Sequence, residues 1–415
     1  MNKKTVLVLA GLSVVAAGGQ IFTQSRFESS LNDQIAIAKQ TYRPQGILIN
    51  KENIDNSLFG ARNTLSVTLT DTYLSQYNLA DSAPLSFTLN SDCAFYPFYV
   101  VCDSQVSSDS ELLSTIGSVG HEANFSVNVL FNSTSATLSF DEFSVEENDG
   151  TLTISPLTLF YDGDLSMSSA EFQLKWKGMN LSGSSSGTAI NLQNMYVNSE
   201  MTRIAENVYA SETELTVESL NITSATYNAN YHIENIRSIT EIEQEDSDTF
   251  EAAYALFIDR VSAQNQTNAI ENFALNVSLD NISSQTLRFM NQTSDDSSSA
   301  QTDKVLAELG QSSHNIAVES FRFDIADAPF KSEGNFTLAP YDASAIQSAS
   351  VLQKMTGSLN LYIGKSINQA FPMAMPVIEQ YLEQGLLTEE EDQFQATIRL
   401  KQGLISANDI PLYQL

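Results

Sequence analysis

Apolar and polar residues alternate along most of the chain after residue 63. Segments such as Leu65–Leu69, Phe125–Phe131 and Phe172–Trp176 place an apolar side chain at every second position. A period of two predicts half-buried strands, and strands with one polar face are typical of antiparallel sheets. We therefore expect a mainly β (α+β) fold built on a long twisted antiparallel sheet with a few covering helices.

Small polar residues separate these segments. Asn132–Thr134, Asn148–Gly150 and Asp162–Gly163 have the composition of turns. Later in the chain, Ser344–Met355 and Pro376–Gln384 have helical patterns. The chain ends with two strand-like pieces, Phe394–Leu400 and Leu404–Ala407.

A helical period occurs before the strands begin. Phe27, Leu31 and Ile35 recur every four residues between Gln24 and Tyr42, which predicts a helix with one apolar face. The expected organisation is a signal-anchor (1–22), an amphipathic stem helix (23–45), an antiparallel β body (46–292), a polar linker (293–302) and a C-terminal β/α part that completes the sheet (303–415).

The N-terminus has the pattern of an export signal. Two lysines precede Thr5–Phe22, a run of eighteen residues without charge. This predicts a single-pass anchor in a bacterial inner membrane, with the bulk of the chain in the periplasm. Small residues at Ala16–Gly19 leave cleavage by a signal peptidase open. The predicted anchor residues are Lys3, Lys4, Val6, Leu7, Val8, Leu9, Leu12, Val14, Val15, Ile21 and Phe22.

The composition excludes one class of partner. The chain has 50 acidic and 20 basic residues, and its formal net charge is −30. Such a charge repels phosphate backbones, so we expect no nucleic-acid partner. The 22 Phe and 15 Tyr provide bulky residues that favour strands and a packed core.

The two cysteines are Cys93 and Cys102, nine positions apart. In an exported protein a close pair predicts a disulfide, and a hairpin that turns near Pro97–Phe98 would place the two opposite each other. A redox pair or half of a metal site is the alternative. However, the spacing is not Cys-x-x-Cys, and no histidine is near in sequence.

Signals for catalysis are weak. Gly183–Gly187 matches Gly-x-Ser-x-Gly, with Ser185 as the nucleophile, but that elbow requires a helix after it and Thr188–Leu192 alternates like a strand. His121-Glu122 begins a zinc-binding His-Glu-x-x-His helix, yet Phe125 stands at the position of the second histidine. We expect no enzyme, no cofactor and no metal site.

The order of features resembles the YdgA-like family, bacterial envelope proteins of unknown function. The likeness lies in Ala17–Gln20, in Ala274–Asn281, and in the ending, where a helix up to Leu387 precedes Gly403–Leu412. The family usually shows Asn-Gly where this chain has Asn408–Asp409. The resemblance implies an anchored periplasmic β protein and supplies no catalytic residues.

These observations favour a binding or scaffolding role in the envelope. A curved sheet with a Phe- and Tyr-rich face and a helical lid is suited to holding a lipid or another apolar ligand. The alternative is a periplasmic hydrolase that uses Ser185 or an acidic pair. An envelope protein partner, recruitment of a partner through exposed sheet edges and a homo-oligomer all stay open.

Overall fold

The structure is a computed structural model. It describes residues 19–29, 31–32, 35–36, 38–40, 42–44, 46–75, 85–108, 121–129, 131–147, 150–166, 168–183, 187–205, 208–225, 229–264, 268–291, 298–342 and 350–414. Most of the predicted anchor, residues 1–18, lies outside these ranges. Within them, no helix combines the length and the apolar character needed to cross a membrane.

The protein is mainly β, as the alternation predicts, and the strands form a large antiparallel sheet. The described residues divide into two compact units. Unit 1 contains those of 1–145 and 153–177, and unit 2 contains those of 146–152, 178–291 and 298–414. The boundary predicted at 293–302 stays a prediction.

Unit 1 is a meander whose strands pair in the order β1-β2-β3-β4-β5-β6-β9-β10. Helix α1 (19–29) precedes it, the described residues up to 42 are also helical, and α2 is Asp71–Ser75. The strands are β1 Ile47–Ser57, β2 Gly60–Leu69, β3 Leu85–Tyr96, β4 Tyr99–Ser108, β5 His121–Asn128, β6 Ser133–Phe140, β7 Phe143–Glu147, β8 Gly150–Ile154, β9 Leu157–Asp164 and β10 Ser169–Gly183. Residues 146–152 and the end of β10 after Lys177 belong to unit 2.

Unit 2 is also an antiparallel meander, from β11 to β18 and then β20, β21 and β22. Its strands are β11 Thr188–Ala205, β12 Val208–Ser224, β13 Ala229–Gln244, β14 Thr249–Ala263, β15 Ile270–Ser283, β16 His314–Ile325, β17 Ala328–Leu338, β18 Met355–Gly364, β19 Thr388–Glu389, β20 Gln393–Lys401, β21 Leu404–Ala407 and β22 Ile410–Gln414. Its helices are α3 Ser284–Asn291, α4 Ser298–Leu309, α5 Ile367–Ala370 and α6 Met375–Glu383, with 3₁₀ turns at Ser350–Lys354 and Pro372–Ala374.

Apolar contacts bury separate cores in the two units. In unit 1, Phe27 of α1 packs with the cysteine pair, Phe95 and Val100. In unit 2, one cluster joins Phe250 to Leu287 of α3, and another joins Phe394 to Ile378 of α6. Each helix therefore covers one patch of a sheet with its apolar face.

The turn predicted at Asp162–Gly163 is wrong. Both residues continue β9 and pair with Glu171 and Ala170 of β10. The chain turns just after Asp164, whose carboxylate accepts backbone N–H groups of Ser166 and Ser168 at 2.8 and 3.0 Å. An acidic side chain that binds the following amides fixes this turn more strongly than the glycine before it.

The helix predictions are confirmed in part. The predicted helix at 376–384 corresponds to α6. Helix α4 begins at Ser298, five residues before the predicted start at 303, so part of the predicted linker is helical. The first half of the helix predicted at 344–355 lies outside the described residues, and Ser350–Lys354 forms a 3₁₀ turn. Strand β22 was not predicted because Pro411 interrupts its pattern.

The β21–β22 hairpin shows why Asn408–Asp409 stands at its turn. The two residues have φ angles of 47° and 67°. Two successive left-handed residues make a type I′ turn, which favours Asn-Gly and tolerates Asp at moderate cost. The side chain of Asn408 also accepts the Thr397 N–H at 2.9 Å, which fixes the hairpin against β20.

Candidate ligand-binding groove

The floor of a groove in unit 1 is formed by residues of seven strands, most of them at alternating positions, and Ser107, Asn124, Thr137 and Phe160 also line the cavity. Cross-strand pairs such as Leu65 with Leu89 and Leu138 with Leu159 place these side chains side by side on one face of the sheet. The floor consists of Asn63, Leu65 and Val67 of β2, Phe87, Leu89, Ser91 and Cys93 of β3, Cys102 and Ser104 of β4, Ala123 and Phe125 of β5, Ala136, Leu138 and Phe140 of β6, Leu159 and Tyr161 of β9, and Phe172 of β10.

The helix at the N-terminal side of unit 1 closes one side of the groove. Phe27, Leu31 and Ile35, the residues whose spacing predicted this helix, all line the cavity. The ring of Phe27 packs edge-on against Phe95, with their centroids 5.4 Å apart. The predicted apolar face of the helix is therefore the face that covers the sheet.

Buried polar bonds fix where the helix begins. Gln20 Nε2 donates to the carbonyl of Phe95 at 2.7 Å, and Thr23 Oγ1 accepts the N–H of Phe98 at 2.7 Å. Thr23 is fully buried. Since both backbone groups belong to the β3–β4 hairpin, these bonds hold the helix on the hairpin that carries the disulfide.

The groove is large enough for a small ligand. Its volume is about 640 Å³, within the range of about 300–1,000 Å³ that is typical of ligand sites in proteins. A second cavity of about 260 Å³ shares Phe27, Leu31, Phe125 and Tyr161 with the first. These four side chains therefore line both spaces.

A short polar row crosses the apolar floor. Asn63, Ser91 and Ser104 occupy directly paired positions on β2, β3 and β4. The hydroxyls of Ser91 and Ser104 are hydrogen bonded at 2.8 Å, and Asn63 and Ser104 are buried. An otherwise apolar cavity with a few fixed polar groups can orient a bound molecule.

Lys51 is the single charged side chain among the described residues that line the groove. Its ammonium donates to Asn32 Oδ1 of the helix at 2.8 Å. Burial lowers the pKa of Lys51 below its ordinary value, and the nearby carboxylate of Glu28 partly offsets this by favouring the charged form. In a chain of net charge −30, Lys51 is therefore a cationic group at the groove with the Glu28 carboxylate near it.

The second cavity ends at the β9–β10 turn, which contains Asp164. Burial favours the neutral form of this carboxyl, but hydrogen bonds from Ser166, Ser168 and Ser169 outweigh it and hold the pKa of Asp164 well below its usual range. The carboxylate is therefore occupied by its own turn. It stabilises the turn at this point.

The structure places the sulfurs of Cys93 and Cys102 2.06 Å apart, at disulfide distance. The two residues are directly paired on β3 and β4, which turn at Pro97–Phe98 as predicted. The pair lies in the groove floor beneath Phe27. Its position is that of a structural bridge that joins two strands under the helix.

Among the described residues, the three histidines lie on separate strands. Ser185 lies outside the described residues, and the segment after it, Thr188–Ala205, is a strand where a nucleophile elbow requires a helix. His121 is in β5. His232 contacts Glu234 at 2.7 Å in β13, and buried His314 bonds the carbonyls of Asp280 and Leu309.

Metal ligands also fail to converge in the described part of the chain. It contains no group of three or more His, Cys, Asp or Glu residues that could hold a metal ion. Sequence reasoning missed Lys51 and the polar residues Gln20 and Thr23. The only feature of the sequence that pointed to this region was the helical spacing of the apolar residues nearby. That spacing did not indicate which strand the helix would contact.

Comparison with known families gives a match over nearly the whole chain. The model of a family described as "Bacterial protein of unknown function (DUF945)" matches residues 1–413. No curated protein and no solved structure matches the chain. The resemblance is therefore confirmed at the level of a bacterial family of unknown function, and the YdgA name and the anchored periplasmic assignment stay predictions.

Proposed function

From the premise that the chain belongs to the bacterial DUF945 family of unknown function, we propose that it is a non-enzymatic envelope protein that holds a lipid or a similar apolar ligand in unit 1. The observation that carries this proposal is the groove of about 640 Å³ between the helix and the apolar sheet face. Transfer of an acyl chain from water to such a surface is favourable by about 0.8 kcal/mol per buried CH₂.

The character of the lining supports a lipid more than a polar substrate. Among the described lining residues there is no aspartate or glutamate, although acidic residues number 50 in the chain. Lys51 at the rim provides a cation for an acidic head group. An acyl chain with a carboxylate or phosphate head is therefore the class of ligand that we propose.

The experiment places a bulky side chain inside the groove and, as a control, on the same strand outside the groove. Ala136 lines the groove on β6, while Ser139 of the same strand is outside the lining. Ala136→Trp is expected to abolish binding of a fluorescent fatty acid, and Ser139→Trp is expected to preserve it. Circular dichroism confirms that both variants fold. Equal binding by the two folded variants would contradict a ligand in the groove.

Native mass spectrometry of gently solubilised full-length protein provides an independent measurement. We expect a bound lipid on the natural protein and none on Ala136→Trp. Protein that is empty under all conditions would leave only the scaffolding role. Ester hydrolysis that Ser185→Ala abolishes, with stability unchanged, would instead favour the hydrolase.

The proposed place of the protein is the bacterial inner membrane, with the two units in the periplasm. The support is the run Thr5–Phe22 behind two lysines. In spheroplasts, added protease is expected to digest the body while the protein pellets with membranes. A soluble periplasmic protein whose mature N-terminus lies near Gln20 would show cleavage of the leader.

A further inference from the structure

Large apolar side chains are exposed at one end of unit 1. Successive turns of an antiparallel meander alternate between its two ends, so the β1–β2, β3–β4 and β5–β6 turns share one end. The exposed fractions there are 70% for Phe59, 53% for Tyr96 and 75% for Phe131. Ile21 and Phe22 at the start of α1 are 58% and 47% exposed. These five residues are referred to as the aromatic tip.

Backbone hydrogen bonds join the turns of the aromatic tip into one surface. The Phe95 N–H donates to the carbonyl of Phe59 at 2.8 Å, and the Val129 N–H donates to the carbonyl of Phe98 at 2.9 Å. The bonds from Gln20 and to Thr23 attach the helix to the same turns. The exposed side chains are therefore carried by neighbouring, mutually bonded segments.

The two ends of unit 1 differ in charge. The turn segments 57–60, 96–99 and 129–132 contain no Asp, Glu, Lys or Arg in the sequence. At the other end of the same strands, Asp71 begins α2 and Asp141 and Glu142 follow β6, all three exposed. The β9–β10 turn with Asp164 lies beside Asn132 at the same end as the tip, but the N–H groups of Ser166, Ser168 and Ser169 already bind this carboxylate. The three turn segments themselves can therefore leave water without the cost of desolvating a charge.

We propose that the aromatic tip inserts into the interfacial layer of a phospholipid bilayer, as a contact separate from the groove. Phe and Tyr at the ends of hairpins suit this layer because aromatic side chains concentrate at membrane interfaces. The tip is also continuous with the apolar run Thr5–Phe22, since α1 carries the last residues of that run. The acidic end would then face away from anionic lipids.

The experiment places single tryptophan reporters in the full-length chain. In a Trp176→Phe background, Phe59→Trp and Phe131→Trp report on the tip, and Thr72→Trp reports on the exposed helix α2 at the opposite end. Each protein is reconstituted into phosphatidylcholine/phosphatidylglycerol vesicles with or without bromine atoms on the acyl chains. Bromine quenches tryptophan only on close approach.

Loss of emission at positions 59 and 131, with position 72 unaffected, is the expected result. Equal emission at all three positions with and without bromine would overturn insertion. The tip could instead contact a second copy of the chain. Crosslinking that rises with protein concentration, without quenching by brominated lipid, would show this and would overturn insertion. Fatty-acid binding by Phe59→Asp/Phe131→Asp is expected to be unchanged, which separates the tip from the groove.

Discussion

Thr23 Oγ1 accepts a hydrogen bond from the backbone N–H of Phe98 at 2.7 Å, across 75 positions of sequence, and donates to the carbonyl of Gly19 at 2.7 Å. One buried hydroxyl thus links the first turn of the helix to the tip of the disulfide hairpin. The contact fixes the point on the sheet at which the apolar face of the helix packs.

Thr23→Val tests this link because valine has nearly the same shape and no hydroxyl. The Phe98 N–H then has no acceptor, which is expected to lower the free energy of unfolding by about 1–2 kcal/mol. Urea denaturation measures the change. The matched control is Ser25→Ala on an exposed position of the same helix, expected to have little effect. Similar losses in both variants would show that the bond is not the cause.

The disulfide is expected to contribute to stability through the loop that it closes. Cys93 and Cys102 are nine residues apart, and a short loop of this kind contributes about 2–3 kcal/mol. The double variant Cys93→Ala/Cys102→Ala is therefore expected to unfold at lower urea concentration. Alkylation of the natural protein without reductant, followed by mass spectrometry, should add no label; two labels would contradict the bridge.

Substitutions of Phe95 and Phe172 distinguish a residue that stabilises the core from a residue that lines the groove. Phe95 is 3% exposed in the core under α1, so Phe95→Ala is expected to cost about 3–5 kcal/mol. Phe172 is half-buried and lines the groove, so Phe172→Ala is expected to cost only about 1–2 kcal/mol. Urea denaturation measures the loss of stability, and fatty-acid titration measures the loss of affinity. For Phe172→Ala we expect weaker binding even under conditions in which the variant is fully folded.

The sequence predicts the strands of the groove but not how they pair. The alternation at Leu65–Leu69 and Phe172–Trp176 correctly predicted strands, because a strand's side-chain period is local. The strand predicted over Phe125–Phe131 is too long, since β5 ends at Asn128 and Phe131 lies in the turn. The pairing of β6 with β9 past β7 and β8 was not predictable. It depends on contacts between distant segments that leave no local pattern.

The point on the sheet at which the helix docks escaped prediction for a related reason. Gln20 and Thr23 are polar residues next to an apolar run, and their importance arises only from the backbone groups of Phe95 and Phe98 that the fold brings to them. The misplaced turn at Asp162–Gly163 has a local cause, since the carboxylate of Asp164 binds the three serines that follow.

Lys51 offers a test of the ligand's head group. Lys51→Met keeps an unbranched apolar stem and removes the charge. The substitution is expected to weaken the binding of a fatty acid by roughly 0.5–1 kcal/mol, which raises Kd about twofold to fivefold. A contribution of this size is typical of a partly exposed ion pair. The fatty alcohol of the same chain length is the control and should bind both proteins equally. An equal loss for acid and alcohol would assign Lys51 to packing alone.

The lowered pKa of Asp164 is expected to make the free energy of unfolding depend on pH. Its folded pKa lies below the unfolded value, so the stabilisation is complete above the unfolded pKa of about 4. It is lost as the pH falls through the folded pKa. Asp164→Asn is expected to cost about 1 kcal/mol at pH 7, a small value because the turn is partly solvated. The difference from the natural protein should shrink in melting curves at pH 3.

The matched control for Asp164 is Asp162→Asn, an exposed carboxylate on the same strand. This variant is expected to melt like the natural protein at both pH values. If the two variants lose stability alike at pH 7, general charge reduction accounts for the effect and the serine bonds do not.

The bonds at the start of α1 also determine how the fold would carry mechanical force. A pull on the chain before Gly19 is transmitted through Gln20 to the carbonyls of Leu58 and Phe95, and through Thr23 to the N–H of Phe98. Two hairpins share that load at once, and the bonds that the carbonyls of Phe59 and Phe98 accept from Phe95 and Val129 spread it further. We therefore expect the helix and the two hairpins that hold it to give way together under force, before any single strand separates from the sheet.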